Sequence, residues 1–139
     1  MIEALSRAVL KALAGLASLA AGVAVAQGAQ LALLDRLDPG LWELRSRDGG
    51  AVERICVDDG RRLIQLRHAG LSCRQFVTEQ APDAVTVHYT CAGQGSARTH
   101  LRLESPRLVQ IESSGVAGRL PFEVSAEARR VGSCSAREG

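Results

Sequence analysis

From residue 38 onward, apolar and polar residues alternate with a period of two, and glycine or proline interrupts the alternation at short intervals. In the stretch AVTVHYTC, residues 84–91, every second residue is apolar: Val85, Val87, Tyr89 and Cys91. The residues between them are polar. Such alternation predicts strands with one buried face and one face in solvent. The pattern therefore predicts an all-β domain.

Turn signals divide this pattern into about seven strands. The DGG sequence at residues 48–50 tolerates the positive φ of a tight hairpin turn. Residues 41–47 and 51–57 are therefore predicted to pair, with Trp42 as a large core residue. A second hairpin is predicted for residues 73–79 and 84–91 about the turn QAPD.

The remaining strands are predicted at residues 97–104, 108–113 and 120–131. Their apolar side is expected to point inward: Leu101, Leu103, Val109, Ile111, Phe122, Val124, Ala126 and Ala128. Short connections between strands are typical of a mainly antiparallel β meander or a small barrel.

One short helix is predicted between Cys56 and Cys73. Asp58 or Asp59 can cap its N-terminus, and Leu63, Ile64 and Leu66 would give it one apolar side. Ahead of the sheet, the leucines of residues 27–38 predict either one or two helical turns or a loosely docked arm.

The first 26 residues have the order of a secretory signal peptide. Arg7 and Lys11 precede an uncharged run of small apolar residues, and the sequence AVA at 24–26 suits signal peptidase. A membrane anchor is the alternative, but the run is shorter than the roughly 20 residues that span a bilayer. We expect a signal helix, Sec-type export to the periplasm or medium, and cleavage after Ala26. The remaining chain then divides into an arm (27–38), a disulfide-stabilised domain (39–134) and a tail (135–139).

Export to an oxidising compartment predicts two disulfides among the four cysteines, Cys56, Cys73, Cys91 and Cys134. No two of them have the close spacing of a zinc knuckle or of a Cys-x-x-Cys redox pair. We therefore expect neither a metal nor another cofactor.

Three pairings of four cysteines are possible. Cys56–Cys73 with Cys91–Cys134 is favoured, because it would clamp the predicted helix to its flanking strands. The main rival is Cys73–Cys91, bonded across the second hairpin, with Cys56–Cys134.

The charges are nearly balanced, with 17 basic and 15 acidic residues. Such a chain has no long-range field to attract nucleic acid or an anionic membrane, so neither is expected as a partner. Arg61, Arg62 and Arg67 could bind an anionic envelope component, but the neighbouring aspartates favour a solvated face.

No catalytic constellation is evident. His88 and His100 fall on the predicted outer faces of strands, and His68 falls in a loop, so all three are interpreted as surface residues. No serine lies in a nucleophile-elbow motif. The glycines of AGQGSA, residues 92–97, fit a turn between strands better than a phosphate loop, because no helix is predicted to follow them.

Several segments resemble the domain-of-unknown-function 3617 family of exported bacterial proteins: GLWELRS, RICVDD, LSCRQF, VHYTCAGQGSA and ARRVGSC. The resemblance covers residues 39–134, and the matching positions are Gly40, Trp42, Cys56, Cys73, Cys91, Gly132 and Cys134. VDDG stands where relatives often have a Thr-Pro-Glu helix start, so the helix is expected to be short. The resemblance implies an exported β domain and brings no established activity with it.

Two functions remain compatible with these observations. The chain is expected to be a monomeric, non-enzymatic β-module that contacts an envelope protein or polymer. The alternative is a carrier with a sheet curled around a small apolar ligand, as in lipocalins.

Overall fold

The computed structural model describes residues 31–135, which form one seven-stranded antiparallel sheet. The strands are β1 (Gly40–Ser46), β2 (Val52–Val57), β3 (Arg74–Gln80), β4 (Ala84–Cys91), β5 (Gly95–Ser105), β6 (Leu108–Ala117) and β7 (Leu120–Gly132). The prediction of an all-β, mainly antiparallel fold is confirmed. The predicted signal peptide lies outside the described residues.

The strand order is β2-β1-β7-β6-β5-β4-β3. Each strand from β3 to β7 pairs with the next, and β1 then pairs with β7. Strands β2 and β3 are left as the two edges of an open sheet, because the chain between them crosses one face instead of pairing. The fold is therefore a meander in which β2 and β3 do not meet.

The covered face, called the inner face below, carries the core. Trp42, Val87, Leu101 and Ile111 are fully buried there. The predicted inward residues Leu103, Val109, Ala126 and Ala128 are buried, and Phe122 and Val124 are half-buried. The opposite, outer face carries mainly polar side chains, with exposed apolar exceptions such as Phe76 and Val116. The alternation of apolar and polar residues therefore predicted correctly which side chains lie on each face. Successive residues of a strand point to opposite faces, and residues directly opposite each other on paired strands point to the same face.

The residues before β1 belong to this core. A single 3₁₀ turn, η1 (Ala32–Arg36), buries Leu33 and Leu34, and the flanking Leu31 and Leu37 are also buried. The four leucines cover part of the inner face that would otherwise meet water.

The segment between Cys56 and Cys73 forms two 3₁₀ turns, η2 (Gly60–Leu63) and η3 (Leu66–His68), rather than one helix. Asp59 caps η2, as the sequence predicted, by accepting a hydrogen bond from the Arg61 backbone N–H at 2.9 Å. Leu63 and Ile64 are buried against the sheet.

Gly60 allows η1 and η2 to pack closely. A β-carbon at this position would lie 2.5 Å from the backbone oxygen of Leu34.

We expect Gly60→Ala to lower the free energy of unfolding by about 1–3 kcal/mol, because the two turns must separate. Gly132→Ala is the control, since nothing lies within 4 Å of its β-carbon position. Urea unfolding of both variants checks this, and equal losses would contradict it.

The favoured disulfide pairing was wrong. The bonds are Cys56–Cys134 and Cys73–Cys91, the rival arrangement. The β3–β4 register aligns Arg74 with Thr90, so the next pair outward is Cys73 and Cys91, with a Cα–Cα distance of 4.2 Å. Proximity along the sequence was a poor guide, because the hairpin brings these two cysteines together.

Cys134 reaches Cys56 because β7 pairs with β1, and β1 pairs with β2. The chain after Gly132 has to cross only β1 to reach Cys56, with a Cα–Cα distance of 5.6 Å. No feature of the sequence places β1 beside β7, so the Cys56–Cys134 bond was expected only as part of the rival pairing.

A candidate binding surface on the outer face of the sheet

Ion pairs cover much of the outer face. On β1, Glu43 accepts hydrogen bonds from Arg45 at 2.7 Å and from Arg54 at 3.1 Å, and its side chain is only 9% exposed. The hydrogen bond from Arg45, followed by that from Arg54, lowers the pKa of Glu43 below its usual value of 4.5. The Glu43 carboxylate is thus held between two arginines at this end of the face.

Glu43 gives a testable pH dependence. Its lowered pKa stabilises the fold above the pKa of the unfolded chain, and this contribution is lost as the pH falls through the folded-state value. We therefore expect Glu43→Gln to flatten the loss of stability in the acid range. Urea unfolding between pH 6 and about pH 3 measures the slope. Glu53→Gln, an exposed carboxylate on β2, is the control, and equal slopes in the two variants would contradict the prediction.

His68 is buried, and its interpretation as a surface residue was wrong. It is 2% exposed, and its Nε2–H donates to the Gln94 carbonyl at 3.1 Å, since a carbonyl can only accept. Its Nδ1 therefore accepts from the Tyr89 hydroxyl at 2.9 Å. Burial raises the pKa of Tyr89. The sequence signal was Tyr89 itself, because an inward-facing phenol needs a hydrogen-bond partner.

The His68 contacts tie the chain between β2 and β3 to the sheet. Thr99 on β5 makes a second attachment, donating to the Ile64 carbonyl at 2.8 Å while accepting from Ser113 at 2.8 Å. All buried side-chain nitrogen and oxygen atoms of residues 31–135 have hydrogen-bond partners. These buried groups stabilise the fold and are not accessible to a ligand.

His88 and His100 lie on the outer face, as predicted, and both are half-buried. Thr86 donates its one hydroxyl proton to Glu79 at 2.8 Å, so it accepts from Nδ1–H of His100 at 2.9 Å. Arg98 also donates to Glu79, at 3.1 Å. The Thr86 hydrogen bond, with the nearby Arg98 charge, lowers the pKa of Glu79.

This chain of hydrogen bonds has the composition of a proton relay, but it lacks an accessible nucleophile. Thr86 is fully buried, so a substrate cannot reach its hydroxyl. No group of three or more His, Cys, Asp or Glu side chains within residues 31–135 is arranged to hold a metal ion. The arrangement is suited to fixing the positions of Glu79 and Arg98.

Beside this chain lies a groove of about 260 Å³ that crosses four strands, called the outer groove below. Phe76 on β3, 55% exposed, stacks on His88 with 5.6 Å between the ring centroids and 25° between the planes. Arg98 on β5 and Val116 on β6 form the rest of the rim. Small polar side chains line the groove between them: Thr90, Ser96 and Ser114.

A second depression of about 280 Å³ continues past Arg98 toward β7. It is lined by two carboxylates, Glu112 and Glu123, and by serines. Glu112 is paired with Arg47 at 3.2 Å. The outer face therefore changes along its length from an aromatic and cationic region to an acidic one.

The inner face has a cleft of about 380 Å³ between η3 and the ends of β1 and β7. Its rim carries Asp48, Glu53 and Glu123 beside Arg67. Of the three arginines considered for an anionic ligand, Arg61 is paired with Asp35 and Asp59, and Arg62 is exposed elsewhere on η2. The structure does not bring these arginines together into one anion site.

The glycine-rich stretch at residues 92–97 forms the turn between β4 and β5, as expected from the sequence, together with the first three residues of β5. Gly95 has a φ of +111°, and a β-carbon there would overlap the Val116 carbonyl oxygen. Its glycines therefore serve the turn and the close approach of β6.

Among residues 31–135, no helix is long and apolar enough to cross a bilayer. Comparison with protein-family models, with curated proteins and with solved structures found no match. The resemblance to the domain-of-unknown-function 3617 family therefore stays a prediction.

Proposed function

We propose that the protein is an exported, non-enzymatic β-module that binds a component of the cell envelope through the outer face of its sheet. The observation that carries the proposal is the outer groove, where the exposed ring of Phe76 stacks on the half-buried ring of His88, beside Arg98. An exposed aromatic ring held in one orientation provides a large contact area at a small entropy cost. An adjacent arginine provides directional hydrogen bonds.

Two disulfides support the proposed compartment, since such bonds persist mainly in oxidising compartments. With the predicted signal peptide, they favour the periplasm or the medium over the cytosol. The intact mass of the exported protein should correspond to a chain that starts near Gln27 with all four thiols oxidised. A mass that retains residues 1–26 would argue for an anchored protein instead.

The filled inner face favours a binding surface over a lipocalin-like carrier. A carrier needs an apolar cavity inside its curled sheet, commonly of at least about 300 Å³. Here Trp42, Leu34, Leu63 and Ile64 occupy the space over the inner face. The 380 Å³ cleft beside them has carboxylates on its rim, which suit an apolar ligand poorly.

Site-specific photocrosslinking in the native envelope tests the proposal. A photoreactive phenylalanine analogue replaces Val116, which is 38% exposed at the rim of the outer groove. The control places the same analogue at Arg62, which is exposed on η2 in the chain between β2 and β3. We expect an adduct from position 116 and little from position 62. Equal yields, or none at position 116, would count against the outer face as the binding surface.

A further inference from the structure

We infer that the outer groove binds a glycan in which a single carboxylate-bearing sugar is flanked by neutral sugars. The inference rests on the proposed function and specifies the ligand chemistry of the same surface. Three features of the groove carry it: the aromatic end, the hydroxyl-lined floor and the single arginine.

The aromatic end suits the apolar face of a sugar ring. Phe76 is 55% exposed and is held by its stacking on His88. The C–H groups of a pyranose face are weakly positive, and the face of a phenyl ring is negative, so the two attract each other. A neutral sugar is therefore the expected occupant at β3.

The floor provides groups that can match sugar hydroxyls. Thr90, Ser96 and Ser114 lie on neighbouring strands, and all three are exposed. Each hydroxyl can both donate and accept a hydrogen bond, as each hydroxyl of a sugar can. The groove is also shallow, and its volume of about 260 Å³ is below the range for a drug-sized ligand. It would thus hold a short stretch of a longer polymer.

Arg98 determines the charge of the ligand. Among the groove-lining residues, all of which belong to the described part of the chain, it is the only one with a full charge at neutral pH. Glu79 accepts one hydrogen bond from its Nη2. A guanidinium has five N–H donors, so others can bind a carboxylate in the bidentate geometry that arginine favours.

The surrounding charges favour one isolated carboxylate over a dense polyanion. Glu79 stands beside Arg98, and Glu112 and Glu123 line the next depression. A phosphate dianion or a second carboxylate at Arg98 would meet these negative groups, and Arg74, the arginine opposite Thr90 on β3, lies two strands away from Arg98. The acidic neighbours therefore select against polymers with a charge on every unit.

Calorimetric titration of the exported protein tests this inference with three saccharides. The first is the trisaccharide glucose–glucuronic acid–glucose, the second is the same compound with its carboxyl group reduced, and the third is polygalacturonate. We expect the acidic trisaccharide to bind at least about ten-fold more tightly than the reduced one, the effect of a charge-assisted hydrogen-bond pair. Polygalacturonate should bind more weakly per site than the acidic trisaccharide.

Two variants and a matched control assign the contacts. Arg98→Gln should remove the preference for the acidic trisaccharide, and Phe76→Ala should weaken both trisaccharides. Arg102→Gln is the control, because Arg102 is also on the outer face of β5 and also pairs with one carboxylate, Glu104. It should bind as the unaltered protein does, and unchanged melting temperatures would show that all three variants fold.

Equal binding of the two trisaccharides, no effect of Arg98→Gln, or stronger binding of polygalacturonate would each overturn the inference. If no saccharide binds while position 116 still forms a specific envelope adduct, the glycan inference fails and the proposed function stands. If neither saccharide binding nor a specific adduct is found, both fail.

Discussion

Trp42→Ala is expected to lower the free energy of unfolding by about 3–5 kcal/mol, the range for deleting a large aromatic side chain from a core. Trp42 is fully buried on β1 in the core of the inner face, and its Nε1–H donates to the Asp38 carbonyl at 3.1 Å. Alanine would leave a large cavity and an unpaired carbonyl. Domains of this size are typically stable by only about 5–15 kcal/mol, so the variant should be close to unfolding.

Urea unfolding followed by far-ultraviolet circular dichroism measures this effect, since the variant loses the chain's only tryptophan as a fluorescent probe. Trp42→Phe should cost less, because it retains most of the ring volume, although it loses the same hydrogen bond to the Asp38 carbonyl. Val52→Ala, at a position 52% exposed on β2, should change stability by no more than about 0.5 kcal/mol. A loss below about 1 kcal/mol for Trp42→Ala would mean that the inner-face core can close around the gap.

The strands and their faces could be predicted from the sequence, because a period of two is a local property. Val85, Val87 and Tyr89 reveal their shared side within a few residues, and DGG marks a turn without reference to the rest of the chain. Both expected hairpins formed, and the predicted inward residues of β5 and β6 are buried.

The neighbours of each strand could not be predicted in the same way. Alternation assigns a side chain to a face but does not choose the strand beside it, and that choice depends on contacts distant in sequence. The pairing of β1 with β7 joins residues 80 or more positions apart, such as Leu44 and Ala128. The Cys56–Cys134 bond depends on that unpredicted neighbour, whereas Cys73–Cys91 lies across a hairpin that was predicted, so the favoured pairing was wrong because it ranked closeness in sequence above strand pairing.

The candidate site was only partly foreseen for the same reason. His88 and His100 were assigned to the outer face, but their partners Phe76 and Thr86 became known only with the strand register. The outer groove combines side chains from four strands, none of which forms a motif along the chain. His68 was misassigned because position in a loop does not reveal that a chain segment crosses a sheet.

Removal of the Cys56–Cys134 disulfide is expected to have an effect of similar size to Trp42→Ala. The bond joins residues 78 positions apart. In the chain-entropy model, a crosslink that closes a loop of that length raises the free energy of the unfolded chain by about 4.5 kcal/mol at 25 °C. The variant Cys56→Ala/Cys134→Ala should lose this contribution to the stability of the fold. The bond also fastens the end of the chain to edge strand β2 across β1.

The variant Cys73→Ala/Cys91→Ala provides the comparison, because its bond spans only 18 positions and is worth about 3 kcal/mol in the same model. Cys91 is buried, so its replacement also removes packing contacts. This extra loss makes the stabilities of the two double variants more alike than the loop lengths alone would. The denaturant m-value separates the two effects, since it grows with the surface that unfolding exposes. Freeing the long loop expands the unfolded chain more, so the m-value should rise more for Cys56→Ala/Cys134→Ala. A larger rise for Cys73→Ala/Cys91→Ala would contradict the assignment of the long-range bond as the main constraint on the unfolded chain.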